Sequence, residues 1–134
     1  MATEQTKFRF KGYRIIKSEM RMAQSGEIDK KLNVTFSGIR TSECKSEYAL
    51  DLGVSVTNPD QSLDIQLEMR GIFEFDNNLS HQEKGTFFTA SAPAIMFPYL
   101  RAHISTLTAI SGIDPLILPT INFVEGLRQA KVID

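Results

Sequence analysis

Few side chains in this sequence have the chemistry of an active site. The two histidines, His81 and His103, have no second ligand three or four residues on, so no metal site is expected. Cys44 as a nucleophile would need a base and an oxyanion site, and neither is signalled; it reads as a loop thiol. The acidic row Asp64, Gln66, Glu68 and Glu74 is broken by an amide and too mixed for paired-carboxylate catalysis. It reads as a solvated sheet face, or as a field that would steer a basic partner into place. No glycine loop that could cradle a phosphate follows a strand, and no cofactor is expected. The remaining chemistry is apolar. Met20, Met22, Met69 and Met96 supply flexible thioethers, which fill irregular cores and also suit surfaces that accept varied apolar partners. Leu116, Ile117 and Leu118 stand between Pro115 and Pro119, and three consecutive large aliphatics in a loop need cover from this chain, another subunit or a bound partner. The pattern is one of binding, not catalysis.

Composition agrees. The chain has 134 residues, 42% of them apolar, which suits one domain spanning 1–134 with residues 1–7 as a frayed arm. With 15 basic against 16 acidic residues and no basic run, nucleic-acid binding is not expected. A single cysteine favours a reducing compartment. No apolar run approaches the ~18 residues that span a bilayer, and MATEQTKFRFKGY lacks a signal-peptide core, so a cytosolic protein is expected.

The elements that position these residues are legible from periodicity. Phe8 and Phe10 share one parity, Tyr13 and Ile15 the other, and Met20 and Met22 return to the first, with a bulge expected at Gly12. Gln24–Lys31 is a polar loop. Leu32, Val34 and Phe36 alternate as a half-buried strand, followed by a polar connection over Arg40–Ser46. Tyr48 to Val56 and Leu63 to Phe75 alternate cleanly around the turn Asn58-Pro59-Asp60-Gln61, a hairpin with one covered and one wet face. Asn77–Thr86 reads as a polar loop. Phe97, Leu100, Ile104 and Leu107 form the buried stripe of a long helix from Pro93, kinked at Pro98 and capped by Gly112. After the Pro115–Pro119 crossover, Asn122 and Glu125 resemble a capping box for a short helix over about Phe123–Val132. Strands first and helices last make an α+β fold, a four-stranded antiparallel sheet covered on one face.

Ala92-Pro93-Ala94-Ile95-Met96-Phe97-Pro98-Tyr99-Leu100-Arg101, Ile104-Ser105, Pro115-Leu116-Ile117-Leu118-Pro119 and Ile121-Asn122-Phe123 together closely resemble the SecB protein-export chaperones. Gly71-Ile72-Phe73 matches the end of that family's last strand, and Phe10 through Glu19 its first strand more loosely. The resemblance implies a dimer of dimers that holds unfolded or precursor polypeptides without ATP and passes them to the SecA motor. It places the apolar groove on Leu116, Ile117, Leu118, Ile121, Phe123 and Leu127, with Met20 and Met22 added from the residues above. It also implies subunit contacts along the long helix, at Tyr99 and His103. Motor docking in the family uses acids on the exposed sheet and first strand; here Glu19 fills one such position, with Gln66 and Ala23 at two others, and Asp64 and Glu68 flank Gln66. Two functions follow as expectations: a general holdase, or a module of the same fold serving one dedicated partner, such as a toxin–antitoxin component.

Overall fold

The computed structural model describes residues 8–44, 47–76, 78–119 and 132–133. The alternating segments form the centre of the sheet. Strand β3, Glu47–Thr57, and strand β4, Leu63–Phe75, pair antiparallel, with Thr57 opposite Asp64. Tyr48, Leu50, Leu52, Val54 and Val56 are buried beside Leu63, Ile65, Leu67, Met69, Phe73 and Phe75. The turn closes with the Gln61 N–H donating to the Asn58 carbonyl at 3.1 Å, as Pro59 in its second position favours. Asn58 is buried, and its side chain ties three segments together. It accepts from the Leu63 N–H at 3.0 Å and donates to the Asp29 carbonyl at 3.1 Å and to Ser62 Oγ at 2.7 Å. Asn58→Ala strands buried polar groups and should cost about 1–3 kcal/mol, read as a lower urea midpoint.

Strand β1, Phe8–Met22, lies on the far side of β4, and strand β2, Asn33–Cys44, on the far side of β3. One bulge is legible at Gly12, and the structure has two. The register slips between Phe10 and Gly12 and again between Ile15 and Lys17. Each slip inverts the side-chain parity, so Phe8, Phe10, Tyr13, Ile15, Met20 and Met22 all pair opposite inward-facing positions of β4. Strand β2 is longer than its polar sequence suggests. Arg40 to Cys44, expected within a connection, pair with β3 from Leu50 to Glu47, with a slip between Arg40 and Ser42. Backbone pairing to a strongly apolar neighbour carries polar residues into the ladder.

The expected polar loop Asn77–Thr86 is corrected in the same way. Helix α1, His81–Thr86, starts at a capping box: Ser80 Oγ accepts from the Glu83 N–H, and the Glu83 carboxylate accepts from the Ser80 N–H. A π-helical turn, Phe87–Ser91, joins it to helix α2, Ala92–Ile110. The Ala92 N–H reaches back to the Phe87 carbonyl, and Phe87 and Phe88 are buried against Phe73 and Phe75. Helix α2 begins with Pro93 in its first turn and continues through Pro98. Gly112, at φ +97°, turns the chain out of the helix while the Ile113 N–H bonds the Thr108 carbonyl.

Met96, Phe97, Leu100 and Ile104 lay the helix on the sheet. Gly71 permits the close approach: a Cβ there would stand 2.7 Å from Met96 Sδ. The antiparallel strands run in the order β1-β4-β3-β2, with the helix on one face, an α+β fold. Val132, expected at the end of the second helix, instead belongs with Ile133 to a two-residue strand, β5, parallel to β2. The rest of that helix, with its Asn122–Glu125 box, and the arm at residues 1–7 lie outside the described residues.

Candidate functional site

The crossover after α2 is held by two hydroxyls of the helix. Thr108 Oγ1 accepts from the Leu116 N–H at 2.9 Å, and Ser105 Oγ donates to the Leu116 carbonyl at 2.7 Å. Thr108 is fully buried and also donates to the Ile104 carbonyl at 2.8 Å. The peptide groups on both sides of Leu116 are thereby fixed. Their fixing sets the next two side chains apart: Ile117 is 64% exposed, whereas Leu118 is at 0% and belongs to the core. Leu116 is half-buried between them. In the double variant Ser105→Ala/Thr108→Val both clamps go, and amide exchange at Leu116 should accelerate about fivefold to tenfold, as a net hydrogen bond of about 1–1.5 kcal/mol requires.

Two clefts flank this clamp. One, of about 400 Å³, lies between Phe97, Pro98, Arg101, Ala102 and Ser105 of the helix and Ile117 of the crossover. Pro98 has its ring at the exposed surface there, where the amide it lacks is not missed by the core. The second, of about 580 Å³, separates residues 26–30 from residues 113–116. The first of these loops reads only as polar in the sequence, and nothing in its composition marks it as a wall. Met20 and Met22 pack half-buried against the core at the end of β1. Ile121, Phe123 and Leu127 lie outside the described residues.

Tyr99 and His103 both face β1. The Tyr99 ring centroid lies 4.7 Å from that of Tyr13 and 5.9 Å from that of Phe10, and His103 Nε2 is 3.0 Å from Ser18 Oγ. Tyr13, Ile16, Ile95 and Tyr99 remain well exposed along this border of the sheet. Ile16 could not be singled out from the sequence, because its exposure follows from the second bulge.

Glu19, Asp64, Gln66 and Glu68 do share the uncovered sheet face, with Glu19 opposite Gln66. Basic residues are interleaved with them. Lys17 stands opposite Glu68 and Arg21 opposite Asp64, while Arg70 grips Asp51 at 2.7 and 2.9 Å. Arg9 donates to Glu74 at 2.8 Å and to Asp76 at 3.1 Å. The Arg9 hydrogen bond, then the charge of Lys11, holds the Glu74 carboxyl below its ordinary value. A lowered carboxyl contributes stability above its unfolded value and loses it as the pH falls through the folded one. The Glu74 carboxyl titration followed by NMR should therefore move up in Arg9→Gln. Among the described residues no group of His, Cys, Asp and Glu could hold a metal ion.

A family model described as "Preprotein translocase subunit SecB" matches residues 15–132. The protein-export protein SecB of Orientia tsutsugamushi (strain Boryong) is 31% identical over 117 residues, 87% of this chain and 72% of that protein. That of Neorickettsia sennetsu is 29% identical over 118 residues, 82% of this chain and 71% of that protein. Among solved structures, the Mycobacterium tuberculosis Rv1957 SecB-like chaperone, in complex with a ChAD peptide from the Rv1956 HigA1 antitoxin, shares the fold with a TM-score of 0.74. The identity is 13%, over 86% of this chain and 91% of that one.

Proposed function

This chain belongs to the SecB family, and from that premise we propose that it is an ATP-independent holdase for unfolded or precursor polypeptides, acting by binding and catalysing no reaction. The observation that carries the proposal is the clamped crossover, which holds Ile117 out beside the cleft at Phe97 and Pro98. Leu116 and Ile117 are its client-facing residues, with Met20 and Met22 added to them, and the family resemblance assigns Ile121, Phe123 and Leu127 to the same role; Leu118 supports the surface from the core. Affinity comes from apolar burial, worth about 25 cal/mol per Å², less the cost of ordering a flexible client. Burial has no direction, so selectivity is low. On this reading the chain works as one domain over 1–134 and in the cytosol, where unfolded and precursor polypeptides are made.

The test is light scattering of a chemically unfolded protein diluted into buffer without nucleotide. Suppression near one subunit per client is expected, and a folded preparation that suppresses nothing at excess overturns the holdase.

The interleaved charges support a second reading. A basic motor domain is steered by a field of one sign, and the Arg70–Asp51 and Arg9–Glu74 pairs leave little such field on the sheet. Service to one dedicated partner fits that face better than delivery to a SecA-type motor. It is favoured if scattering is unaffected while a single cellular protein co-purifies at equal stoichiometry.

The assembly is a homo-oligomer built across β1. This strand of 15 residues has a partner on its β4 side and lies at the sheet edge. A long edge strand carrying exposed Tyr13 and Ile16 templates pairing with a second chain. Tyr99 borders the same surface, and His103 lies on the helix behind it. Tyr13→Lys/Ile16→Lys should reduce the mass found by light scattering on a sizing column to that of a monomer; an unchanged oligomer places the interface elsewhere.

A further inference from the structure

Strand β2 forms the opposite border of the antiparallel sheet, and the chain covers it in an unusual way. The two residues of β5 lie parallel on it, Val132 beside Gly38 and Ile133 beside Ile39. Strand β2 is 12 residues long, and no other strand among the described residues lies on that border. A parallel arrival of two residues is a short hold, about one hydrogen-bonded step of ladder, and a longer extended segment could make many more such bonds.

The inner side of this border is continuous with the cleft described above. Phe36 of β2 is buried with its ring 5.9 Å from that of Phe97, and Phe97 lines the cleft with Pro98 and Ile117. A strand added beside Phe36 would point alternate side chains toward that apolar surface. Its other side chains would run beside Asn33, Thr35 and Ser37, which pair opposite Thr57, Ser55 and Gly53 on the uncovered face. These neighbours are uncharged. Over Asn33–Gly38 this border therefore fits an extended polypeptide segment that alternates large apolar with small polar residues, and the charged Arg40 and Glu43 of β2 come only beyond that stretch.

We infer that the β2 edge is a strand-addition site for such a segment of the client, and that β5 is a removable strap that competes for it. The inference rests on the holdase reading and adds to it a backbone component of recognition. Main-chain hydrogen bonds would give affinity for any unfolded chain, because every sequence carries them, and the cleft at Phe97 would add the preference for apolar side chains. A strap of this kind lowers apparent affinity by the fraction of molecules in which it is open.

The probe is a fluorescent 12-residue peptide alternating valine with threonine, measured by anisotropy against the full chain. Deletion of residues 132–134 should tighten binding about fivefold to tenfold, the gain from removing a competitor that occupies roughly nine molecules in ten. In the Cys44→Ser background, Ile39→Cys/Ile133→Cys should lose peptide binding when oxidised and recover it on reduction, a reversal that misfolding would not show. N-methylation of alternate peptide amides along one edge should weaken binding at least tenfold if the ladder is used. Equal affinity of the truncated, the locked and the full chain overturns the strap. Binding indifferent to N-methylation overturns strand addition. Both can fail while aggregation is still suppressed, which leaves the holdase reading standing; loss of suppression in every form removes that reading and this one together.

Discussion

Leu118→Ser is expected to destabilise the folded subunit by about 3–5 kcal/mol, enough to remove much or all of the stability of a domain this size. The side chain is at 0% exposure within the cluster that includes Met96, Leu100 and Ile104. Serine there would leave a cavity and place a hydroxyl where an aliphatic side chain packs, and both terms oppose folding. Denaturant unfolding followed by circular dichroism reads the effect directly. A variant that unfolds at the wild-type midpoint would mean that the crossover does not belong to the core.

Ile117→Asp, one residue away, should do the reverse. Because 64% of the residue is exposed, its replacement should change stability by no more than about 0.5 kcal/mol. Client retention should weaken roughly tenfold to a hundredfold, since burying an isoleucine against a partner is worth about 1.5–3 kcal/mol, and a buried carboxylate costs more. The measurement is the affinity of the folded, correctly assembled variant for an unfolded client. Unchanged affinity would move the client surface away from the crossover. The pair of variants separates support from contact at adjacent positions.

Much of the fold is legible because solvent acts on every residue of a strand in turn. Tyr48 to Val56 and Leu63 to Phe75 alternate because one face meets the helix and the other meets water, and both strands are found where that pattern stands. Gly112 announces the end of the helix, because the left-handed turn there suits a residue without a side chain. Helix α1, by contrast, is not read as a helix from the sequence. Ser80 and Glu83 have capping-box spacing, but the polar composition around them argues for a loop and outweighs a signal of two residues.

The candidate site divides in the same manner. The sequence by itself determined that the crossover is apolar, proline-bounded and free of catalytic groups, and that the charged row lies on one sheet face. Only the tertiary structure decided which aliphatic is covered. Leu116, Ile117 and Leu118 are nearly equivalent in transfer free energy, so composition cannot rank them. The two hydroxyls that fix the peptide at Leu116 assign Ile117 to solvent and Leu118 to the core. The same holds for the charged face, where single residues of β1 and β4 read as acidic or basic, but their compensation depends on a register that two bulges reset. Register and packing are relations between distant segments, and local pattern carries no record of them.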